Sequence, residues 1–190
     1  MSKLSIAVSG SDHIEGDSSA LCTVVEYGDY QCPACGEAYP IVKRLQKTFG
    51  SSMRLVFRNF PLAELHPYAE HAAEAAEFSA AGGKFWEMHD LLFVHQEDLQ
   101  DDVLLVLADR LKLPRVGLQR ALAASSYSTR IKADISGGVR SGVNGTPTFF
   151  INGLRHDGAF DFETLSEAIQ SQMPTMRADQ GIHHEHPIRR

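Results

Sequence analysis

Between Cys22 and Gly28 the chain reads CTVVEYG, a run of β-branched and aromatic residues of the kind enriched in strands. The apolar period then changes. From about 33 to 48, Ala38, Ile41, Val42 and Leu45 recur at helical spacing, and Gly50 supplies a helix stop. MRLVFRNF, 53–60, reads as a second strand. Strand, helix and strand in this order predict a parallel pair joined by a right-handed crossover. Residues 1–20 are mixed and rich in Gly, Ser and Asp; they read as an irregular lead-in with a short strand at Ser5–Val8.

From about 66 to 142 the pattern is helical. Tyr68–Ala81 is rich in Ala and Glu, with Pro67 near its start and Gly82-Gly83 beyond its end. Phe85, Met88, His89 and Leu92 share one face of the next helix, so Phe85, Trp86, Phe93 and His89 are expected in the core and His95 in a packing role. Asp101–Leu111 follows, with Asp101 as N-cap. Pro114–Ala123 and Ser125–Val139 are two further helices, the last weakened by Gly137-Gly138. The strand period then returns at Pro147–Ile151. Asn152-Gly153 and Asp157-Gly158 are turn dipeptides, and Leu154–His156 is expected to pair back as a hairpin. Asp161–Gln172 closes the pattern as a helix with Phe162, Leu165 and Ile169 on one face.

The order β-α-β, helical block, β-β-α predicts an α/β fold, a central mixed β-sheet flanked by helices. Residues 21–62 and 143–173 form one domain, and 63–142 are an all-helical insertion within it. Residues 1–20 are the lead-in, and 174–190 a flexible His-rich tail. An insertion so placed caps one end of the sheet and can shape a site there.

Composition removes several function classes. The 190 residues are 43% hydrophobic and 22% charged, with a net charge of −6. No run of Lys or Arg could track phosphates, so no nucleic-acid partner is expected. No apolar run approaches the roughly 20 residues of a bilayer span, so no membrane partner is expected either. The opening MSKLSIAVSG lacks the apolar core of a secretory signal, which predicts a cytoplasmic protein, with the periplasm as the alternative had a leader been lost.

The chemistry concentrates in the cysteines. There are three, Cys22, Cys32 and Cys35, and only the last two form a C-x-x-C pair. Cys32 falls where a strand end passes into a helix start. Orphan backbone N–H groups and the helix dipole favour negative charge there, and the thiolate is the attacking form. Pro33 suits the first helical turn because its missing N–H costs nothing. Cys35 lies one turn on, so Cys32 reads as nucleophile and Cys35 as resolving thiol. The competing readings are a zinc half-site and two inert thiols. Structural zinc wants four ligands, there is no second C-x-x-C, and His66 and His71 are badly spaced for one helix face; no metal is expected. Cys22 reads as a small buried hydrophobe. His183, His184 and His186 read as a solvated tail rather than a weak metal site.

Three segments together resemble the DsbA-like branch of the thioredoxin superfamily, over roughly residues 12–172. They are VVEYGDYQCPACGEAYP at 24–40, NGTPTFFING at 144–153, and the helical insertion between them. The resemblance implies a thioredoxin-like fold and a thiol–disulfide oxidoreductase acting on protein disulfides, without a cofactor. It implies that Pro147 is cis, that its loop packs on the cysteine pair, and that the Thr146 hydroxyl touches the Cys32 sulfur. Thr146, with Pro33 and Ala34, would meet an extended substrate strand. Glu26 would lie buried beneath the cysteines and relay a proton to or from Cys35; strand alternation alone leaves a solvent-facing position open. Phe60-Pro61-Leu62 lies either near the site or in a plain loop. The Pro-Ala dipeptide lacks the histidine of the family's best-known oxidant, which predicts a less stabilised thiolate and a lean toward reduction or isomerisation. Partners would be protein or small-molecule thiols and disulfides, glutathione or a partner redoxin, with a monomer or homodimer as the assembly. The alternatives are a glutathione-dependent transferase or isomerase of the same architecture, and a metal-binding redox module.

Overall fold

A computed structural model describes residues 2–173; the His-rich segment lies outside them. The strand at Cys22–Gly28 (β2) passes into a long helix at Pro33–Phe49 (α1), and a short 3-10 turn leads into the strand at Met53–Asn59 (β3). The two strands pair in parallel, Val24 opposite Leu55 and Glu26 opposite Phe57. Five strands form the sheet in the order β1-β3-β2-β4-β5, where β1 is His13–Glu15, β4 is Thr148–Ile151 and β5 is Leu154–Arg155. All pairs other than β2–β3 are antiparallel. The central strand β2 is therefore the one that delivers the chain to the cysteine pair.

Both faces of β2 are buried, as expected of a strand covered on two sides. Cys22 and Val24 pack against Ala38, Val42 and Leu45 of α1 and against Leu165 and Ile169 of the last helix, α7 (Phe162–Gln172). Val25 and Tyr27 face Val56, Phe60, Val143 and Phe150 on the other side. Burying a side chain such as Leu45 contributes about 1.5–3 kcal/mol. A third cluster joins Phe57 and Tyr30 to the insertion, whose helices are α2 (Ala69–Ala81), α3 (Phe85–Val94), α4 (Asp101–Arg110), α5 (Arg115–Ala124) and α6 (Ser128–Arg140). Cys32 and Cys35 belong to this cluster. The insertion thus closes over the strand-to-helix turn.

Three expectations need correction. Ser5–Val8 is not a strand; β1 lies at His13–Glu15, antiparallel to β3. The backbone at 4–5 bonds elsewhere, Leu4 N–H to the Gly153 carbonyl and Ser5 N–H to Ser141 Oγ, while Leu4 and Val8 cover an apolar face. Asp101 is not the N-cap of α4, which is Gln100; Asp101 lies in the first turn, where its charge suits the dipole, and pairs with His71 at 2.5 Å. Gly137-Gly138 is a packing device rather than a weakness. A Cβ on Gly138 would stand 2.8 Å from Phe60 and 3.0 Å from Tyr27, so only glycine lets α6 approach the sheet this closely.

Candidate active site

Cys32 is the N-cap of α1, at φ −71° and ψ 121°, with Pro33 following in the first turn and no acidic residue there to offset the dipole. The turn that sets it is held by Asp29. One carboxylate oxygen accepts the Gln31 N–H at 2.8 Å, and the other accepts the Leu62 N–H at 2.8 Å and pairs with His66 Nδ1 at 2.7 Å. The Gln31 side chain in turn accepts the Tyr68 N–H at 2.7 Å. Both tethers lead into the segment between β3 and α2, which places Phe60-Pro61-Leu62 beside the turn.

The two thiols are free and differ in burial, Cys32 being 7% exposed and Cys35 fully enclosed. The Cys32 thiol donates to the Thr146 carbonyl at 3.3 Å, and the Asp29 N–H donates to Cys35 Sγ at 3.5 Å. The Cys32 pKa falls to about 5. The hydrogen bond from the Cys35 thiol contributes most; burial opposes it, and the Thr146 side chain and the N–H groups of Cys35 and Ala34 add to it. Cys35 moves the other way, well above the usual thiol range. Burial is the chief cause, followed by its bond to Cys32 and the charge of Glu26. The environments therefore favour the ionised form of Cys32 and the protonated form of Cys35.

Glu26 is 2% exposed, so a solvent-facing position is excluded, and its Oε1 has no hydrogen-bond partner. Burial raises its pKa to about 8. The Thr146–Pro147 peptide bond is cis. The contact from this loop to the sulfur is through the Thr146 carbonyl; its hydroxyl is buried, has no other partner, and favours the thiolate. Pro33 is exposed and Ala34, Thr146 and Pro147 are half-buried, so the rim around Cys32 is open on this side. The absent imidazole does not leave the thiolate unsupported, because the Cys35 thiol, the Thr146 side chain and helix N–H groups supply the donors.

Asp29, Gln31, His66 and Gln96 also shape the turn, and sequence reasoning did not single them out as site residues. Asp29 carried a usable signal, since an Asp between a strand end and a helix start often caps its own turn. His66 and Gln96 reach the turn only through the folded insertion and had no local signal. Cys22 lies at the far end of β2, with burial raising its pKa to about 11, which fits an inert thiol. His89 is buried among Tyr30, Phe57 and Phe93, in the packing position expected. Among the described residues, no three His, Cys, Asp or Glu side chains gather in a way that could hold a metal ion.

A sequence profile of the family described as Thioredoxin matches residues 8–171. Among solved structures, the oxidised BdbD of Bacillus subtilis superposes with a TM-score of 0.77 at 25% identity, over 85% of this chain and 92% of that one. A thioredoxin-like oxidoreductase of Silicibacter pomeroyi gives 0.76 at 27% identity, over 86% and 92%. The α-DsbA1 of Wolbachia pipientis gives 0.76 over 87% and 92%, and at 18% identity it speaks to the fold alone. Among curated proteins, the chain is 48% identical over 160 residues to a protein of Salinispora arenicola named Na(+)/H(+) antiporter NhaA 1, covering 84% of this chain and 24% of that one. It is 40% identical over 161 residues to an antiporter NhaA of Nitrosospira multiformis, covering 83% and 25%. The chain thus spans about a quarter of the length of these relatives. Among the described residues no helix is long and apolar enough to cross a membrane.

Proposed function

We propose a function from one premise: the chain belongs to the thioredoxin family, in its DsbA-like branch. It exchanges disulfides through Cys32 and Cys35. The observation that carries this reading is the pair of opposed thiols, Cys32 lowered to about 5 at a helix N-terminus and Cys35 buried and raised.

The Cys32 thiolate attacks one sulfur of a substrate disulfide. A Cys32–substrate disulfide forms, and the second substrate sulfur leaves as a thiolate that takes a proton from water. Cys35 then gives its proton to Glu26 and attacks the Cys32 sulfur. The internal disulfide forms, the first substrate sulfur leaves, and two electrons have passed from the dithiol to the substrate. Run backwards, the same steps place a disulfide in a dithiol substrate. With its pKa near 8, Glu26 is about one-tenth ionised at neutral pH; that ionised form takes the Cys35 proton, and the protonated form returns it when the steps run backwards. The open rim at Pro33, Ala34 and Thr146 supports a polypeptide substrate laid as an extended strand beside the Thr146–Pro147 loop.

A thiolate this stabilised favours the reduced pair and makes the disulfide more oxidising than the Pro-Ala dipeptide alone suggests. Equilibration in glutathione buffers should give a midpoint above the thioredoxin value of about −270 mV and below the DsbA value of about −120 mV. A value at the low end goes with a cytoplasmic reductant or isomerase, and one at the high end with an oxidising compartment. Cys32→Ser should abolish turnover of any disulfide substrate. Turnover that survives this change sinks the reading. If Cys35→Ser kept full steady-state activity with glutathione, a single-thiol transferase would replace it.

A further inference from the structure

Gln96 lies in the helical insertion, two residues beyond the end of α3 at Val94. Its Nε2 donates to two backbone carbonyls of the cysteine turn, Tyr30 at 2.9 Å and Cys32 at 2.8 Å. The Cys32 carbonyl also accepts the N–H groups of Cys35 at 3.0 Å and Gly36 at 3.1 Å. One carboxamide, 64 positions along the chain from Cys32, therefore bridges the nucleophile and the residue two before it. Space is kept for it. A Cβ on Gly36 would fall 2.0 Å from Gln96 Oε1 and 2.8 Å from its Cδ. No positive φ calls for glycine at 36, and alanine is the better helix former, so the side chain of Gln96 is what explains this glycine.

We propose that Gln96 is a positioning residue for disulfide exchange: its two backbone hydrogen bonds let the insertion set the turn from which Cys32 presents its sulfur. The inference deepens the dithiol reading above and rests on it. The Ala34 and Cys35 N–H groups that face the sulfur belong to the same turn, and donors stabilise a charge strongly only while they are held in line with it. Without the carboxamide the Tyr30 carbonyl loses its side-chain tether and the Cys32 carbonyl keeps only its bonds to Cys35 and Gly36 within the turn, so the turn loosens and those donors drift from the sulfur. Asp29 holds the turn from its other side through Leu62 and His66, so the fold survives loss of the carboxamide.

The test uses Gln96→Ala and Gly36→Ala, singly and combined, in the full chain. The readouts are the Cys32 pKa, from the ultraviolet absorbance of the thiolate against pH, and the thermal midpoint. Gln96→Ala should raise the Cys32 pKa by about one unit, a tenfold loss of thiolate stabilisation. Gly36→Ala should raise it by a similar amount, because its methyl group displaces the carboxamide. The double variant should match Gln96→Ala, since nothing remains to displace. An unchanged Cys32 pKa with a lowered thermal midpoint makes Gln96 a packing residue and overturns the proposal; additive shifts in the double variant overturn it too. Failure of the unaltered chain to form a Cys32–Cys35 disulfide in glutathione buffers would instead strike the dithiol reading. The pKa comparison decides the role of Gln96 toward the sulfur in either case.

Discussion

At the scale of single residues, the site works by separating groups that would otherwise titrate alike. Glu26 carries a measurable signature of this. Its folded pKa, about 8, lies above the 4.5 of an ordinary glutamate. Between those values the folded chain binds a proton that the unfolded chain has released, so stability falls as pH rises. Reduced Cys32 does the opposite, folded near 5 against 9.0 unfolded, and offsets the slope. In a Cys32→Ser chain the Glu26 slope stands without this offset. Denaturant unfolding of that variant should lose about 1 kcal/mol between pH 7 and pH 8, and adding Glu26→Gln should flatten the curve. An unchanged slope would show that Glu26 is ionised in the fold. The cysteine pair was legible in the sequence because its spacing is local and sits at a strand-to-helix junction. Glu26 and Thr146 were found only through the family resemblance, and Gln96 not at all, because its partners are backbone groups 64 and 66 positions away.

At the scale of elements, periodicity found the strands and helices, whose packing faces are wide. It failed where pairing or close approach decides. The sequence predicts a lead-in strand at Ser5–Val8, whereas edge pairing with β3 selects His13–Glu15. The glycine pair of α6 was read through helix propensity, whereas the controlling quantity is the distance to Phe60 and Tyr27. Gly138→Ala gains about 1 kcal/mol of helix propensity and loses about 1–3 kcal/mol to overpacking. A net loss in denaturant midpoint is expected. A midpoint that rises would mean that Phe60 moves aside freely. By contrast, the N-cap of α7 was written locally: Asp161 accepts the Thr164 N–H at 2.8 Å.

At the scale of the whole molecule, the lead-in is bound by a buried ion pair. Arg58 donates to Asp12 at 2.7 Å and to the Tyr27 hydroxyl at 2.9 Å, and it reaches the Ile6 carbonyl at 3.0 Å. Composition rules gave no hint of this, since an Arg in a strand and an Asp in a loop are both ordinary at a surface. Arg58→Ala would strand the Asp12 carboxylate and cost about 3–5 kcal/mol. A double Asp12→Asn, Arg58→Met variant should recover much of that loss, and unfolding curves for both would show it. Equal destabilisation by both would assign the loss to Arg58 packing alone.

Cys32 and the Thr146 carbonyl it touches are 114 positions apart, with the whole helical insertion between them. A ribosome therefore delivers the nucleophile long before its partner loop. Until the loop docks, the sulfur lacks the Thr146 side chain, which favours its thiolate, and until the insertion folds it lacks a covered turn. On the proposed reading, Cys32 in a chain cut short before Thr146 lacks the loop's share of that stabilisation and should titrate above the value it has in the complete fold.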